Sequence, residues 1–150
     1  MALLEKYLYV KKSMLPNAGK GLFTKVAIPK GTRIAEYKGK LERWVDVRHE
    51  EEDGTNMYLL QVSARKAINA KNYLTTLARY ANDARGTSKV VGLRNNCELV
   101  SEGDRCYIES LRSIKKFEEI LVGYGKEYWA LVKRINARSI RKSAQKQAGK

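Results

Sequence analysis

The chain contains 150 residues, 43% of them hydrophobic, and it carries a formal net charge of +14. This length and composition predict one globular domain with a real core and exclude an intrinsically disordered protein. A basic balance favours nucleic acid, anionic membranes or acidic proteins as partners, although it also serves solubility alone. Seven basic residues and no acid lie between Lys133 and Lys150, so we expect a domain over residues 1–132 and a basic helix or tail over residues 133–150.

The sequence gives no support to metal-binding or membrane functions. Two cysteines, Cys97 and Cys106, and one histidine, His49, are too few for a zinc site, and we expect reduced thiols rather than a disulfide. No apolar run approaches the roughly 20 residues that span a bilayer, and the first residues do not resemble a signal peptide. We therefore expect a soluble intracellular protein without a metal, cytoplasmic in a bacterium and nuclear in a eukaryote or virus.

Short strands dominate the elements that the sequence predicts. Runs of β-forming residues bounded by turn residues predict strands, and apolar residues at helical spacing predict helices. The predicted strands, in chain order, cover residues 7–12, 33–37, 57–62, 64–70 with a turn, 97–101, 106–114 and 119–124. The predicted helices cover residues 44–52, a short helix or helical turn at 73–81, and a helix from residue 127 into the tail. We therefore expect a mainly β fold with short helices.

A glycine-rich turn, Pro16–Phe23, follows the first predicted strand. Pro16 and Asn17 open the turn, and Gly19 and Gly21 allow the backbone to approach another group closely. The segment is not a phosphate-binding P-loop, because Gly21 stands where such a loop needs serine or threonine. Without other evidence, a tight turn is the commonest meaning of a single Gly-x-Gly.

A second stretch, Glu118–Trp129, places two acids before a short apolar strand that ends at Tyr124, between Gly123 and Gly125. Glycine on both sides lets the backbone bend and leaves the phenol unobstructed by neighbouring side chains. Taken alone, this stretch is most simply a strand end whose tyrosine packs at the edge of the core.

Four segments stand out in this order: residues 16–23, residues 28–39, Arg79-Tyr80-Ala81-Asn82 followed by Asn96-Cys97, and Glu118–Trp129. Together they resemble the SET-domain family of protein-lysine methyltransferases. The chain is similar to short, stand-alone members without the C-terminal zinc cluster. The resemblance implies a β-clip-like fold of small curved sheets, with a pseudoknot in which the chain near Tyr124 threads under the loop bearing Asn82. It also implies that S-adenosylmethionine lies on one face and that the substrate lysine enters from the other.

The resemblance also implies roles for individual residues. The implied cofactor-binding positions are Gly19, Lys20, Gly21, Leu22, Arg79, Tyr80, Asn82, Asp83 and Trp129. The implied lysine channel is lined by Tyr37, Val122, Tyr124 and Tyr128. Tyr124 matches the catalytic tyrosine and Tyr37 a second tyrosine of the active site, and no metal is implied. Asp83 stands where the family usually has histidine, residues 84–95 form a longer loop than the family's, and Val122 leaves the number of added methyl groups open.

The chemistry of lysine methylation fits this set of residues. Methyl transfer from a sulfonium is an in-line displacement that needs a neutral amine, whereas a free lysine amine has a pKa of about 10.4. Burial and the neighbouring sulfonium both disfavour the ammonium form, and alignment of the reacting atoms contributes much of the remaining acceleration. Neither a histidine base nor a metal is required.

Alternatives to a methyltransferase are a non-catalytic SET-like basic module that binds nucleic acid or a partner peptide, and an unrelated β-rich nucleic-acid binder. For an enzyme, small basic DNA-packaging proteins such as histones are the natural substrates. A charge of +14 would repel them unless acids such as those at 50–53 receive the peptide. Arg141-Lys142-Ser143 resembles a methylated histone context and makes Lys142 a candidate for automethylation, but a solvated tail that attracts nucleic acid is the simpler interpretation.

Overall fold

The computed structural model describes residues 3–56, 58–85 and 90–123, and this part of the chain contains nine strands and one α-helix. The strands are β1 (Leu8–Lys12), β2 (Lys20–Thr24), β3 (Arg33–Glu36), β4 (Lys40–Arg43), β5 (Leu59–Gln61), β6 (Lys66–Asn69), β7 (Cys97–Glu102), β8 (Arg105–Ser110) and β9 (Glu119–Ile120). The helix is α1 (Trp44–Glu52), and 3-10 turns cover Glu5–Tyr7 and Leu77–Tyr80. The architecture is mainly β, as the sequence predicts.

The strands form three small antiparallel sheets, ordered β1-β2-β9, β3-β8-β7 and β4-β6-β5. In the first sheet, β1 and β2 are a hairpin that encloses the glycine-rich turn. Strand β9 joins this hairpin from the far end of the domain and places Ile120 opposite Leu22. The two stretches that the sequence singles out are therefore neighbours in space.

The main core draws on the first two sheets and on the 3-10 turn Leu77–Tyr80. Strand β8 shows how it is built, because its side chains alternate between the core and the outer face. The buried members of this main core are Leu8, Leu22, Ile28, Ile34, Ala35, Ala78, Ala81, Cys97, Ile108, Ile114, Ile120 and Val122. Helix α1 packs separately, with Val47 against Leu59 and Ala67.

Both cysteines are buried and free. The register of β7 and β8 places Cys97 opposite Ser110, and Cys106 opposite Ser101. The two thiols are thus four ladder positions apart, about 13 Å at roughly 3.3 Å per residue, which is beyond the reach of a disulfide. The two cysteines therefore do not pair with each other in this fold, and burial raises the pKa of Cys97 to about 12.

The chain crosses itself at the peptide between Leu121 and Val122. The Leu121 carbonyl accepts hydrogen bonds from the N–H groups of Asn96 and Cys97, each at 3.0 Å, while the Val122 N–H donates to the Asn82 carbonyl at 2.8 Å. The C=O and N–H of a trans peptide point in opposite directions, so these partners flank the segment on both sides. Residues 121 and 122 therefore lie between Asn82 on one side and Asn96 and Cys97 on the other. The threading that the resemblance implies stays a prediction, because residues 86–89 of the loop lie outside the described residues.

Most of the predicted elements are present, with small shifts at their ends. Helix α1 covers the residues predicted for it, whereas the predicted helical segment 73–81 is reduced to the 3-10 turn Leu77–Tyr80. The sequence does not predict β2 or β4. Strand β2 contains glycine, which ordinarily weakens a strand, and β4 is rich in charged residues with little burial. The helix predicted from residue 127 lies outside the described residues.

Candidate functional site

The glycine-rich turn adopts a backbone conformation that favours glycine. Gly19 has a φ of +69°, and a Cβ at this position would meet nothing within 4 Å. The turn therefore needs glycine for its backbone angle rather than for space. The Ser13 N–H donates to the Gly19 carbonyl at 2.8 Å and closes the turn, and the side chain of Lys20 is exposed beside it.

Asn82 joins this turn to the crossing. Its Nδ2 donates to the Lys20 carbonyl at 2.9 Å, and its own carbonyl accepts from the Val122 N–H. The side chain is half-buried. Within residues 3–56, 58–85 and 90–123, no group donates a hydrogen bond to Asn82 Oδ1. Asn82 thus has an acceptor oxygen in the same amide group that bonds to the Lys20 carbonyl of the glycine turn.

Asp83 braces the two ends of the long loop. Its side chain is 5% exposed, and its Oδ1 accepts from Asn95 Nδ2 at 2.8 Å and from the Arg85 N–H at 2.8 Å. The Asn95 Oδ1 in turn accepts from the Ala84 N–H at 2.8 Å. Through these hydrogen bonds, Asp83 and Asn95 fix the backbone that follows Asn82.

Arg79 directs its guanidinium toward the chain before it. Nη1 donates to the carbonyls of Ala70 and Lys71, at 2.8 and 3.2 Å. The guanidinium lies 4.0 Å from the centre of the Tyr58 ring and 5.7 Å from that of Tyr80, distances at which cations attract aromatic faces. Its Nε is buried and has no partner among the described residues. These contacts fix the turn after β6 against the candidate site.

Tyr37 and Val122 pack in the main core. Tyr37 follows β3, its N–H donates to the Cys106 carbonyl at 2.8 Å, and its hydroxyl donates to the Tyr58 carbonyl at 3.2 Å. Val122 is 1% exposed and belongs to the cluster against which Tyr37 packs. Two of the predicted channel residues therefore belong to one hydrophobic cluster. One of them, Val122, also bonds to the Asn82 carbonyl.

The family model that matches this chain describes a SET domain and covers residues 19–125. The match spans well over half of the chain, from the glycine turn to beyond the crossing. The chain belongs to the SET-domain family. SET domains are typically protein-lysine methyltransferases that use S-adenosylmethionine. No curated protein matches the chain at a significant level.

The described residues of this SET domain fit the amino-acid end of S-adenosylmethionine. Asn82 Oδ1 can accept from an ammonium group, the exposed Lys20 can face a carboxylate, and the turn at Gly19 leaves its Cβ side open. Leu22 is fully buried in the central strand of the first sheet, between Val10 and Ile120. Within the described part of the chain, no group of His, Cys, Asp and Glu side chains is arranged to hold a metal, and no helix has the length and apolar character to cross a bilayer.

Three predicted site residues of the SET domain lie outside the described residues: Tyr124, Tyr128 and Trp129. The described chain reaches Gly123, immediately before Tyr124. The structure thus brings together the glycine turn, Asn82 and the strand that leads to Tyr124, while the aromatic end of the predicted channel stays a prediction.

Sequence reasoning missed the side chains that hold the crossing together. Asn96 is 0% exposed; its Nδ2 donates to the Glu119 carbonyl at 2.8 Å and to Glu118 Oε2 at 3.1 Å, and its Oδ1 accepts from the Leu121 N–H at 2.9 Å. The signal was present, because an asparagine and two acids adjoin apolar runs, but it did not reveal which groups would pair.

The carboxylate of Glu118 links this asparagine to Arg112. Arg112 Nη2 donates to it at 2.8 Å, and the Lys115 N–H donates at 3.0 Å. Burial raises the pKa of Glu118, but the hydrogen bonds from Arg112, Lys115 and Asn96 outweigh it, so the pKa lies below its ordinary value of 4.5. In the folded protein, Glu118 is therefore ionised near neutral pH.

Proposed function

We propose that this SET domain is an S-adenosylmethionine-dependent protein-lysine N-methyltransferase. The observation that best supports this proposal is the position of Asn82, whose side chain bonds to the glycine turn and whose backbone bonds to Val122. Val122 precedes Tyr124 by two residues, so one residue connects the candidate cofactor turn to the candidate catalytic tyrosine. We propose that the domain extends over residues 1–132 and that residues 133–150 form a basic helix or tail.

At the cofactor end, bound S-adenosylmethionine would supply a methyl group on a sulfonium, whose C–S bond breaks as the lysine nitrogen forms the new C–N bond. Asn82 would accept from its ammonium group, and the turn from Gly19 to Gly21 would lie along its methionine part. The proposed cofactor residues are Gly19, Lys20, Gly21, Leu22, Arg79, Tyr80, Asn82, Asp83 and Trp129. Of these, Arg79 and Asp83 would act mainly by holding neighbouring backbone in place, given the contacts that they make.

At the lysine end, the proposed channel residues are Tyr37, Val122, Tyr124 and Tyr128. The Tyr124 hydroxyl would orient the neutral amine, which gives its nitrogen lone pair to the methyl carbon and releases its proton toward solvent. Tyr37 is fixed in place by the Tyr58 carbonyl. An apolar wall disfavours the ammonium form of the incoming lysine, which favours the reactive neutral amine.

The test is cofactor binding followed by methyl transfer. Calorimetry should detect S-adenosylmethionine binding, and labelled cofactor should transfer its methyl group to basic proteins in a lysate. Tyr124→Phe should lower turnover by more than roughly tenfold with cofactor binding intact, because it removes only a group that acts on the amine. Full activity in that variant would remove the role of Tyr124.

A non-catalytic basic module is the second candidate, and a specific contact favours it. Lys12 and Lys20 lie directly opposite each other across β1 and β2, a cross-strand arrangement that is unfavourable for like charges. Neither forms an ion pair with another described residue. A nucleic-acid phosphate would relieve this repulsion, so strongly salt-dependent nucleic-acid binding without cofactor affinity would favour the module over the enzyme.

We propose a basic protein as the substrate, histone-like in its charge. The acids at the end of α1 would receive it; there, burial first and the charge of the neighbouring Glu52 second raise the pKa of Glu51. Glu51→Gln should raise KM for basic peptides several-fold and leave KM for neutral peptides unchanged. Lys142 should stay unmodified when the protein is incubated with cofactor, as mass spectrometry of the tail will show.

A further inference from the structure

Glu119 is a buried carboxylate that has no role in the proposed reaction. It is 4% exposed and begins β9. Ser13 Oγ donates to its Oε2 at 2.7 Å, and the Met14 N–H donates to its Oε1 at 2.9 Å. Both carboxylate oxygens are therefore bonded to the loop between β1 and β2, in which the glycine turn lies.

Ser13 transmits this contact along the loop. Its hydroxyl oxygen accepts from the Leu15 N–H at 3.1 Å, and its own N–H donates to the Gly19 carbonyl at 2.8 Å. The carboxylate of Glu119 thus fixes Ser13, and Ser13 fixes both the start of the loop and Gly19. Hydrogen bonds to a charged, buried acceptor are the strong ones in a protein.

Glu119 also explains why residue 21 is glycine. A Cβ at Gly21 would collide with Glu119 Oε2 and would lie 3.2 Å from the Cα of Ser13. Gly21 does not adopt a positive φ, unlike Gly19, so its backbone angle would accept a larger residue. The side chain is absent at position 21 because the carboxylate occupies that space.

The same short segment holds the turn from its other side. Val122 binds the Asn82 carbonyl, and Asn82 binds the Lys20 carbonyl. Residues 119–122 therefore reach Gly19 through Ser13 and reach Lys20 through Asn82. The shape of the turn depends on a segment that lies about 100 residues later in the chain.

We propose that Glu119 is a positioning residue for the cofactor: it sets the shape of the glycine turn, and hence the affinity for S-adenosylmethionine, without touching the cofactor. This inference rests on the proposed function, since it takes the turn to be the cofactor site. It predicts that losing the carboxylate weakens cofactor binding while the chemical step continues once the cofactor is bound.

Two variants of the contact test this proposal. Glu119→Gln keeps the size of the side chain but has one acceptor oxygen for two donors. Ser13→Ala keeps the carboxylate and removes the Ser13 hydroxyl, which donates to Glu119 and accepts from the Leu15 N–H. Calorimetry should show Kd for S-adenosylmethionine raised at least about tenfold in each, because each variant loses at least one buried hydrogen bond. At saturating cofactor, kcat should stay within about threefold of the wild type. Glu109→Gln, which removes the charge of an ion pair with Arg33 in another sheet, is the control and should bind cofactor normally.

A double-mutant cycle tests the role assigned to Gly21. Gly21→Ala should weaken cofactor binding in the wild type, because the new methyl group displaces the carboxylate. In a Glu119→Ala background the same substitution should have a much smaller effect, so the two changes should not be additive. Additive effects would mean that Gly21 serves the cofactor directly, and would overturn this part of the proposal.

The outcomes separate this proposal from the proposed function. If the wild-type protein does not bind S-adenosylmethionine, the proposed function fails and the inference fails with it. If the wild type binds and Ser13→Ala binds equally tightly, the inference alone is overturned, whether or not Glu119→Gln folds. A fall in kcat with unchanged Kd would also overturn it, since that result would place Glu119 in the chemical step.

Discussion

Replacement of Asn96 by alanine should destabilise the fold severely. The side chain is fully buried, and it forms three hydrogen bonds, to the Glu119 carbonyl, to Glu118 and from the Leu121 N–H. Alanine would remove all three and leave the Leu121 N–H and the Glu119 carbonyl buried without these partners.

The size of the effect follows from these contacts. Each buried polar group that loses its partner costs about 1–3 kcal/mol, and two backbone groups are affected. Together with the space left by the amide, the free energy of unfolding should fall by about 3–5 kcal/mol. This is a large part of the roughly 5–15 kcal/mol that stabilises a typical domain.

Urea denaturation followed by circular dichroism would measure the change. Asn72→Ala is the matched control, because Asn72 is exposed and has no hydrogen bond within the described residues, and it should change stability by less than about 0.5 kcal/mol. Asn96→Asp should also destabilise, since it places a carboxylate against Glu118. A loss below about 1 kcal/mol in Asn96→Ala would refute the view that this residue secures the crossing.

Three further predictions follow from the site and its surroundings. Because folding lowers the pKa of Glu118, the contribution of this carboxylate to stability is complete above its unfolded pKa and is lost as the pH falls through its folded pKa. Arg112→Met should make this loss of stability at acid pH smaller, as measured by Tm between about pH 3 and 6. The Cys97 thiol, with a pKa of about 12, should not react with a disulfide reagent at about pH 8 until the protein unfolds, and rapid reaction of the native protein would contradict its burial. Gly19→Ala should lower Tm by about 2–4 °C, because a positive φ costs a residue with a side chain about 1 kcal/mol; an unchanged Tm would show that the turn tolerates another backbone angle.

The sequence predicts the class of fold because local signals dominate it. The helix α1 follows from its spacing, and the mainly β character follows from short β-forming runs between turn residues. Strand β2 could not be predicted in this way, because glycine weakens the local preference for a strand. The strand pairs with β1 and β9 on its two sides, and a side chain at residue 21 would collide with Glu119.

The candidate site is predictable only where a motif fixes a position. The resemblance identifies Asn82 and the glycine turn, but it does not show that Asp83 pairs with Asn95 twelve residues later or that both oxygens of Glu119 are bonded to the loop after β1. Such pairs form between residues distant in sequence, and their spacing carries no periodic signal. Buried polar pairs of this kind can be identified only in the folded structure.

The crossing at Leu121 and Val122 also determines when, during synthesis, the proposed cofactor site can form. A nascent chain emerges from its amino end at about 5–20 residues per second, and the β7–β8 hairpin can form as soon as its residues are free. The hydrogen bond to the Asn82 carbonyl can form only after Val122 has been synthesised. In the same way, β9 can join the hairpin of β1 and β2 only after residues 119–120 have been synthesised. A ribosome-bound chain whose residues from Leu121 onward have not yet emerged should therefore lack the proposed cofactor site and bind no S-adenosylmethionine.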